Sequence, residues 1–127
     1  MPLVRDIMNP KLLYIRDGDR LGLARRQILR FGVTAVPVLD EGHRPVGVVS
    51  LRDLADEEDQ IKVSVPVATV RADIDVQQGA KELAVTGHHH LVVVDDKGVA
   101  VGMVSSIDFV RALVGVEVTH PEKFDDF

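Results

Sequence analysis

The sequence contains no cysteine and no tryptophan, and its 127 residues include one tyrosine and four phenylalanines. Without cysteine the chain forms no disulfide, no thiolate zinc site and no thiol nucleophile. So few aromatic rings argue against a base-stacking platform for nucleic acid. No apolar run approaches the roughly 18 residues that a membrane helix needs. The N-terminus carries Arg5, Asp6 and Asn9 where the apolar core of a signal peptide would stand.

The charge balance gives no sign of a polyanionic partner. Fifteen Lys and Arg against 20 Asp and Glu leave a net charge of −5, which does not favour nucleic acid or an anionic membrane. Hydrophobic residues make up 46% of the chain and charged residues 28%, which is typical of an ordinary globular core. We therefore expect a cytoplasmic protein with no nucleic-acid and no membrane partner.

The chain repeats itself. Sliding the sequence against itself by 55 residues gives nine identities over the 41 positions 14–54, with no gap. Such a period indicates two copies of one structural unit. The identical pairs are Arg16/Arg71, Gly32/Gly87, Val38/Val93, Asp40/Asp95, Val46/Val101, Gly47/Gly102, Val49/Val104, Ser50/Ser105 and Asp53/Asp108.

Both copies predict the order β-α-β-β-α, and hence a mixed α/β (α+β) fold. Apolar runs predict strands, apolar residues at helical spacing predict helices, and Gly32 and Gly87 stand where a helix is capped. The predicted elements are the strands Leu12–Arg16 and Val67–Arg71, the helices Asp19–Phe31 and Asp75–Thr86, the hairpins Ala35–Leu39 with Val46–Val49 and Leu91–Val94 with Val99–Val104, and helices from Ser50 and Ser105.

These elements predict one tandem module. Its first repeat covers residues 1–57 and its second covers residues 61–121, with the acidic run 56–59 at the junction. That run is interpreted as a solvated helix end and linker. Residues 122–127 are predicted to form an acidic tail.

One motif closes each copy. Residues 47–54 read GVVSLRDL and residues 102–109 read GMVSSIDF, so both follow the pattern Gly-apolar-x-Ser-x-x-Asp-apolar. Ser-x-x-Asp before a helix is also the sequence of a capping box. A single copy would be explained by capping, whereas two copies in the same register suggest a further role.

With this motif the chain resembles the cystathionine-β-synthase (CBS) domain family. A β-α-β-β-α unit that ends in Gly-apolar-x-Ser/Thr-x-x-Asp is the signature of that family, and two such units resemble a Bateman regulatory module. The resemblance implies that the repeats pack with pseudo-two-fold symmetry. It also implies two equivalent sites in the cleft between them for adenosine-containing ligands such as AMP, ADP, ATP, S-adenosylmethionine or NAD.

The resemblance and the physics of the motif together assign roles to candidate residues. A helix N-terminus attracts phosphate, and a serine hydroxyl there adds a donor. A carboxylate one turn later can accept two hydrogen bonds from the ribose hydroxyls. The nucleotide-binding candidates are Ser50 and Ser105 at the helix starts, Asp53 and Asp108 for ribose, Arg52 for phosphate, Val36 and Leu91 beside adenine, and Thr34, His89 and His90. The alternative for Arg52 is an ion pair with Asp56, four residues later.

The triplet His88–His90 interrupts the repeat, since residues 33–35 stand in its place in the first copy. Family members often carry a phosphate-facing basic residue two positions after the preceding glycine, which is His89 here and Thr34 in the first repeat. The alternative is a solvent-exposed polar entry to the strand. No metal site is predicted, because side chains of adjacent residues in an extended segment alternate sides.

Three classes of function compete. The first is a regulatory module that binds adenosine-containing nucleotides, with no obligatory cofactor, and signals to a partner protein. The second is a ligand-free dimerisation or interaction module of the same fold. The third, an enzyme, is not expected, because there is no Gly-x-Ser-x-Gly elbow, Walker loop or dinucleotide fingerprint.

The resemblance also implies association. No catalytic or channel sequence accompanies the two repeats, so we expect the regulated protein to be another chain. A homodimer is expected through helical faces that include Leu51, Leu54, Phe109 and Leu113.

Overall fold

A computed structural model describes residues 1–18, 22, 25–26, 29–30, 35–50 and 67–120 of the chain. These residues fall into two compact units. The second-repeat unit combines residues 1–12 with residues 68–120, and the first-repeat unit starts at Leu13 and ends at Val67. In chain order the described elements are α1 (Val4–Ile7), β1 (Ile15–Arg16), β2 (Ala35–Leu39), β3 (Pro45–Ser50), β4 (Thr69–Arg71), α2 (Val76–Thr86), β5 (His90–Val94), β6 (Ala100–Ser105) and α3 (Ser106–Leu113).

The two units contain the same three-stranded sheet. In each sheet the first strand pairs in parallel with the second, and the second pairs with the third as an antiparallel hairpin. Val38 lies opposite Gly47 in one hairpin, and Val93 lies opposite Gly102 in the other. The register shifts after Val38 and again after Val93. The 55-residue repeat of the sequence is therefore matched by a repeat in the strand pairing, including the position of the bulge.

The predicted second-repeat helix and its C-cap Gly87 are confirmed, and Asp75, predicted as its first residue, is its N-cap. Asp75 precedes α2, and its carboxylate accepts a hydrogen bond from the Gln78 N–H at 2.8 Å. Gly87 ends the helix at φ 71°, a left-handed conformation that glycine adopts without steric cost. The first strands are shorter than predicted, since β1 begins at Ile15 and β4 at Thr69.

The predicted first-repeat helix, residues 19–31, lies largely outside the described residues, although its described positions 22, 25–26 and 29–30 are helical. Gly32, the helix predicted from Ser50, and the domain boundaries at 57, 61 and 121 with the tail 122–127 also lie outside them. Those boundaries stay predictions.

The second-repeat core lies between its sheet and its helices. Leu91, Val93 and Val104 from the sheet meet Val76 and Leu83 of α2, Phe109 of α3 and further buried residues, namely Val4, Ile7 and Val70. Gly79 allows α2 to approach α3, because a Cβ there would lie 2.9 Å from the Phe109 ring. Phe109 is thus a core residue, and the prediction that it belongs to an exposed helical face is wrong.

Residues 1–12 pack on the second repeat, a feature that the sequence did not predict. The Val4 N–H donates to the Ile74 carbonyl at 2.9 Å. Asn9 pairs with Met103 along the free edge of β6, through N–H···O bonds of 2.8 and 3.1 Å. At the other end of the unit, His120 Nε2 lies 2.8 Å from the Ile7 carbonyl oxygen. The N-terminal segment therefore covers a sheet edge that would otherwise expose unpaired backbone groups.

None of the described helices has the length and apolarity needed to cross a bilayer.

Candidate functional site

The repeated motif forms a closed capping box at the end of β6. Ser105 precedes α3, and its Oγ accepts a hydrogen bond from the Asp108 N–H at 3.3 Å. The Asp108 carboxylate accepts in return from the Ser105 N–H at 2.9 Å. This reciprocal pair satisfies two backbone donors that a helix start otherwise leaves open. The interpretation of Ser-x-x-Asp as a capping box is confirmed in the second repeat.

The loop that carries the histidine triplet is tied to the same helix start. The Ser106 N–H donates to the His89 carbonyl at 2.9 Å. The N–H groups of Ser106 and Asp108 are therefore both engaged, and the intervening Ile107 N–H takes part in neither bond. A phosphate near α3 would thus gain mainly from the helix dipole and from this one amide, rather than from a full set of free donors.

Asp108 is the charged centre of the second-repeat site. Its side chain is 5% exposed, and one oxygen, Oδ2, holds the Ser105 N–H. A buried carboxylate is costly unless hydrogen bonds or opposite charge compensate for the lost water. The capping box uses one oxygen of the pair, which leaves Oδ1 as the acceptor that a ribose hydroxyl could approach.

His90 lies directly across the hairpin from the capping serine. It is the first residue of β5 and pairs with Ser105 in the antiparallel register. Its side chain is half-buried, and burial lowers the pKa of the imidazole below the ordinary value of 6.5. Repulsion from His89 lowers the pKa further, while the Asp108 carboxylate raises it. Burial dominates, so the neutral imidazole is favoured beside the carboxylate.

Two apolar candidates are buried in their sheets. Val36 in β2 is 0% exposed and Leu91 in β5 is 1% exposed. Leu91 packs in the second-repeat core with Val104 and Phe109. With both side chains buried, the backbone groups of these strands are the part of them that could contact an adenine, and the adenine role of Val36 and Leu91 stays a prediction.

Most of the first-repeat candidates cannot be placed. Thr34, Arg52 and Asp53 lie outside the described residues, as does the side chain of Ser50. The backbone of Ser50 pairs with Ala35 in the same register in which Ser105 pairs with His90. The structure therefore brings together Ser105, Asp108, His89 and His90 at one end of the second-repeat sheet, and the first-repeat roles stay predictions.

Within the described ranges, no three His, Asp or Glu side chains come together as a metal site would require. His88 and His89 are exposed, and His90 is half-buried.

Comparison with known proteins gives the same family from sequence and from structure. The model of the CBS domain matches the chain twice, at residues 4–60 and 59–115. Magnesium transporter MgtE of Thermus thermophilus is 32% identical over 126 residues, which cover 89% of this chain and 27% of the transporter. The chain spans between 24% and 55% of the length of the first curated relatives it matches.

Two solved structures extend the comparison. The CBS domain of a bacterial CNNM/CorC family Mg²⁺ transporter in complex with ATP is 30% identical, with a TM-score of 0.75, over 91% of this chain and 89% of that one. CBSX2 in complex with AMP is 24% identical, with a TM-score of 0.79, over 91% of this chain and 98% of that one. The chain belongs to the CBS domain family, with two CBS domains in tandem as in a Bateman module.

Proposed function

We propose that this chain is a regulatory module that binds adenosine-containing nucleotides of the AMP, ADP or ATP type. The observation that carries the proposal is the cluster at the start of α3. There a buried carboxylate, a capping serine and a half-buried histidine lie together at a helix N-terminus. A ribose needs an acceptor for its hydroxyls, and a phosphate needs a positive helix end with a donor beside it. The cluster supplies both within a few residues.

The comparisons support the same ligand class. The transporter CBS domain solved with ATP is 30% identical to this chain over nearly all of both chains. The cytosolic domain of the Mg²⁺ channel MgtE, also solved with ATP, is 29% identical with a TM-score of 0.74, over 84% of this chain and 46% of that one. S-adenosylmethionine stays a further candidate ligand, because it shares the adenosine group.

The module would act by signalling to another protein, and no catalytic role is proposed. Nucleotide binding stabilises the conformation of the module that binds the nucleotide. A partner protein that prefers this conformation then responds to the nucleotide concentration. The cytoplasm, where adenine nucleotides occur, is the compartment that fits this role.

A homodimer is the proposed assembly. On α3 the exposed residues Ile107, Val110 and Leu113 are each about half exposed, at 50%, 51% and 50%, and Val114 just beyond is 68% exposed. Ile107, Val110 and Val114 stand at i, i+3 and i+7, a spacing that places them along one stripe of the helix, away from Phe109. A second copy that presents the same stripe would bury these side chains. Of the dimer candidates named from the sequence, Leu113 is exposed but lies between this stripe and the Phe109 side of the helix, four residues after Phe109. Leu51 and Leu54 lie outside the described residues.

Thermal unfolding with and without AMP, ATP and S-adenosylmethionine tests the ligand class. We expect a concentration-dependent rise in Tm with at least one of them, because a ligand that binds the folded state alone stabilises it. Inosine monophosphate, which has the same ribose phosphate and a different base, serves as the control for adenine. No stabilisation by any adenosine compound at millimolar concentration would favour the alternative, a ligand-free dimerisation or interaction module of the same fold.

A further inference from the structure

His90 and Asp108 are held at the same end of the second-repeat sheet by three separate connections. His90 pairs with Ser105 across the hairpin. Ser105 and Asp108 exchange the capping hydrogen bonds. The preceding residue, His89, receives the Ser106 N–H through its carbonyl. The position of His90 relative to α3 is therefore fixed by backbone pairing and does not depend on a flexible loop.

The charges at this end of the second-repeat sheet are unfavourable for an anionic ligand. Among the described residues, the titratable groups that act on His90 are Asp108 from α3 and His89 from the preceding loop. With His90 neutral, these groups leave the negative charge of Asp108, which is only 5% exposed but acts on a ligand at the start of α3 through a medium of low dielectric constant. A dianionic phosphate would be repelled by this charge, whereas an uncharged nucleoside would not.

We propose that His90 takes up a proton when a phosphate-bearing adenosine ligand binds, so that the second-repeat site distinguishes nucleotide from nucleoside in a pH-dependent way. The proposal rests on the proposed function. The proton comes from solvent, and the positive imidazolium then compensates the negative charges of the phosphate and of the Asp108 carboxylate. A protonated histidine also provides a charge-assisted donor.

His90 and its neighbour His89 differ in their exposure to solvent. The His89 side chain is exposed to solvent, where water screens its interaction with a ligand. The His90 side chain is half-buried beside Asp108, so a change in its charge acts at shorter range and in a medium of lower dielectric constant. Proton uptake should therefore depend on His90.

The experiment is calorimetric titration of AMP and of adenosine at pH 7.0, 7.5 and 8.0, each in two buffers of different ionisation enthalpy. We expect net proton uptake with AMP and none with adenosine. AMP affinity should fall with rising pH by up to about tenfold per pH unit, the limit for one linked proton. Phosphate gains its own proton near pH 6, so the chosen range avoids that titration.

Three variants identify the histidine that takes up the proton. His90→Gln should abolish uptake at the second-repeat site, and His88→Gln, an exposed neighbour, should leave it unchanged. Loss of uptake in His89→Gln with retention in His90→Gln would overturn the assignment to His90. In the wild-type protein, the NMR titration of the His90 ring provides a readout that needs no variant, and it should move to higher pH when AMP is present.

Different results would overturn proton uptake by His90 and nucleotide binding by the module. AMP binding to the wild type without proton uptake, or uptake equal for AMP and adenosine, would overturn the role of His90 and leave the proposed function intact. No AMP binding at any pH would overturn both.

Discussion

The Asp108 carboxylate and the Ser105 backbone N–H are joined by a 2.9 Å hydrogen bond, and the Ser105 hydroxyl accepts from the Asp108 N–H at 3.3 Å. The residue proposed to bind ribose is therefore also part of the structure that begins α3. A variant at either position changes the stability of the helix as well as the site, so the two effects must be measured separately.

The contribution of the cap to stability follows from replacing Ser105. Ser105→Ala removes the acceptor for the Asp108 N–H and should lower the free energy of unfolding by roughly 0.5–2 kcal/mol. Ser106→Ala, one position later, is the matched control and should cost much less, because the bond of Ser106 to His89 uses its backbone N–H. Urea unfolding of both variants measures the difference. Equal losses would show that the cap contributes nothing.

The stability of the protein should depend on pH through His90. Burial lowers its pKa in the folded protein below 6.5, so the unfolded chain binds this proton more readily than the folded chain does. Above about pH 7.5 His90 is neutral in both the folded and the unfolded state, and it does not lower the free energy of unfolding. As the pH falls through and below 6.5, the unfolded chain gains this proton first and the free energy of unfolding decreases. His90→Gln should reduce the difference in unfolding free energy between pH 7.5 and 5.5, and His88→Gln should not. An unchanged difference in His90→Gln would contradict the burial argument.

The N-terminal segment should be displaced by a methyl group at Gly102. A Cβ there would lie 2.6 Å from the Asn9 carbonyl oxygen and 2.7 Å from the Met8 sulfur. Gly102→Ala should lower the free energy of unfolding by about 1–3 kcal/mol. It should also speed amide exchange at Asn9 and Met103, whose bonds hold the segment to β6.

Gly22→Ala provides the control for that substitution. Position 22 is helical and has no atom within 4 Å of the added Cβ. Alanine there should leave stability unchanged or raise it by up to about 1 kcal/mol, since alanine favours helix more than glycine does. If both variants lost the same stability, crowding at Gly102 would not be the cause.

The proposed dimer should dissociate when its apolar stripe is charged. Val110→Asp places a carboxylate at the centre of the exposed face of α3, where burial against a second copy would be costly. Light scattering at tens of micromolar should give a dimer for the wild type and a monomer for the variant. Lys81→Asp, an exposed position on α2, serves as the charge control. A monomeric wild type would contradict the assembly.

The sequence predicts the second-repeat sheet and helices closely, because the same pattern of apolar residues, glycines and polar turns occurs in both repeats. Gly47 and Gly102 occupy the same place in two hairpins of identical register, and Asp75 and Gly87 bound α2 by local hydrogen bonding. These features depend on residues close together in sequence, or on the 55-residue period itself.

Other features depend on contacts that local patterns do not encode. Asn9 pairs with Met103 far along the chain, and α1 has only four residues, too few for a periodic signal. Phe109 and Val110 are both apolar, so the pattern of α3 alone does not say which one faces the core. Gly79 decides the question, because it makes room for the Phe109 ring. The position of His90 opposite Ser105 follows from the hairpin register, which the repeat makes equal in the two units but does not itself determine.

Calorimetric titration of AMP into the wild type, Asp108→Asn and Asp53→Asn tests whether these two carboxylates bind the nucleotide. Asparagine can still accept the Ser105 N–H, so Asp108→Asn should keep the cap and the fold while it loses the charged acceptor for ribose. We predict that the wild type binds AMP and that each variant weakens one class of site by roughly 10- to 150-fold, the effect of removing a hydrogen bond to a charged group. Wild-type affinity and stoichiometry in both variants would contradict the assignment of these carboxylates to the nucleotide sites.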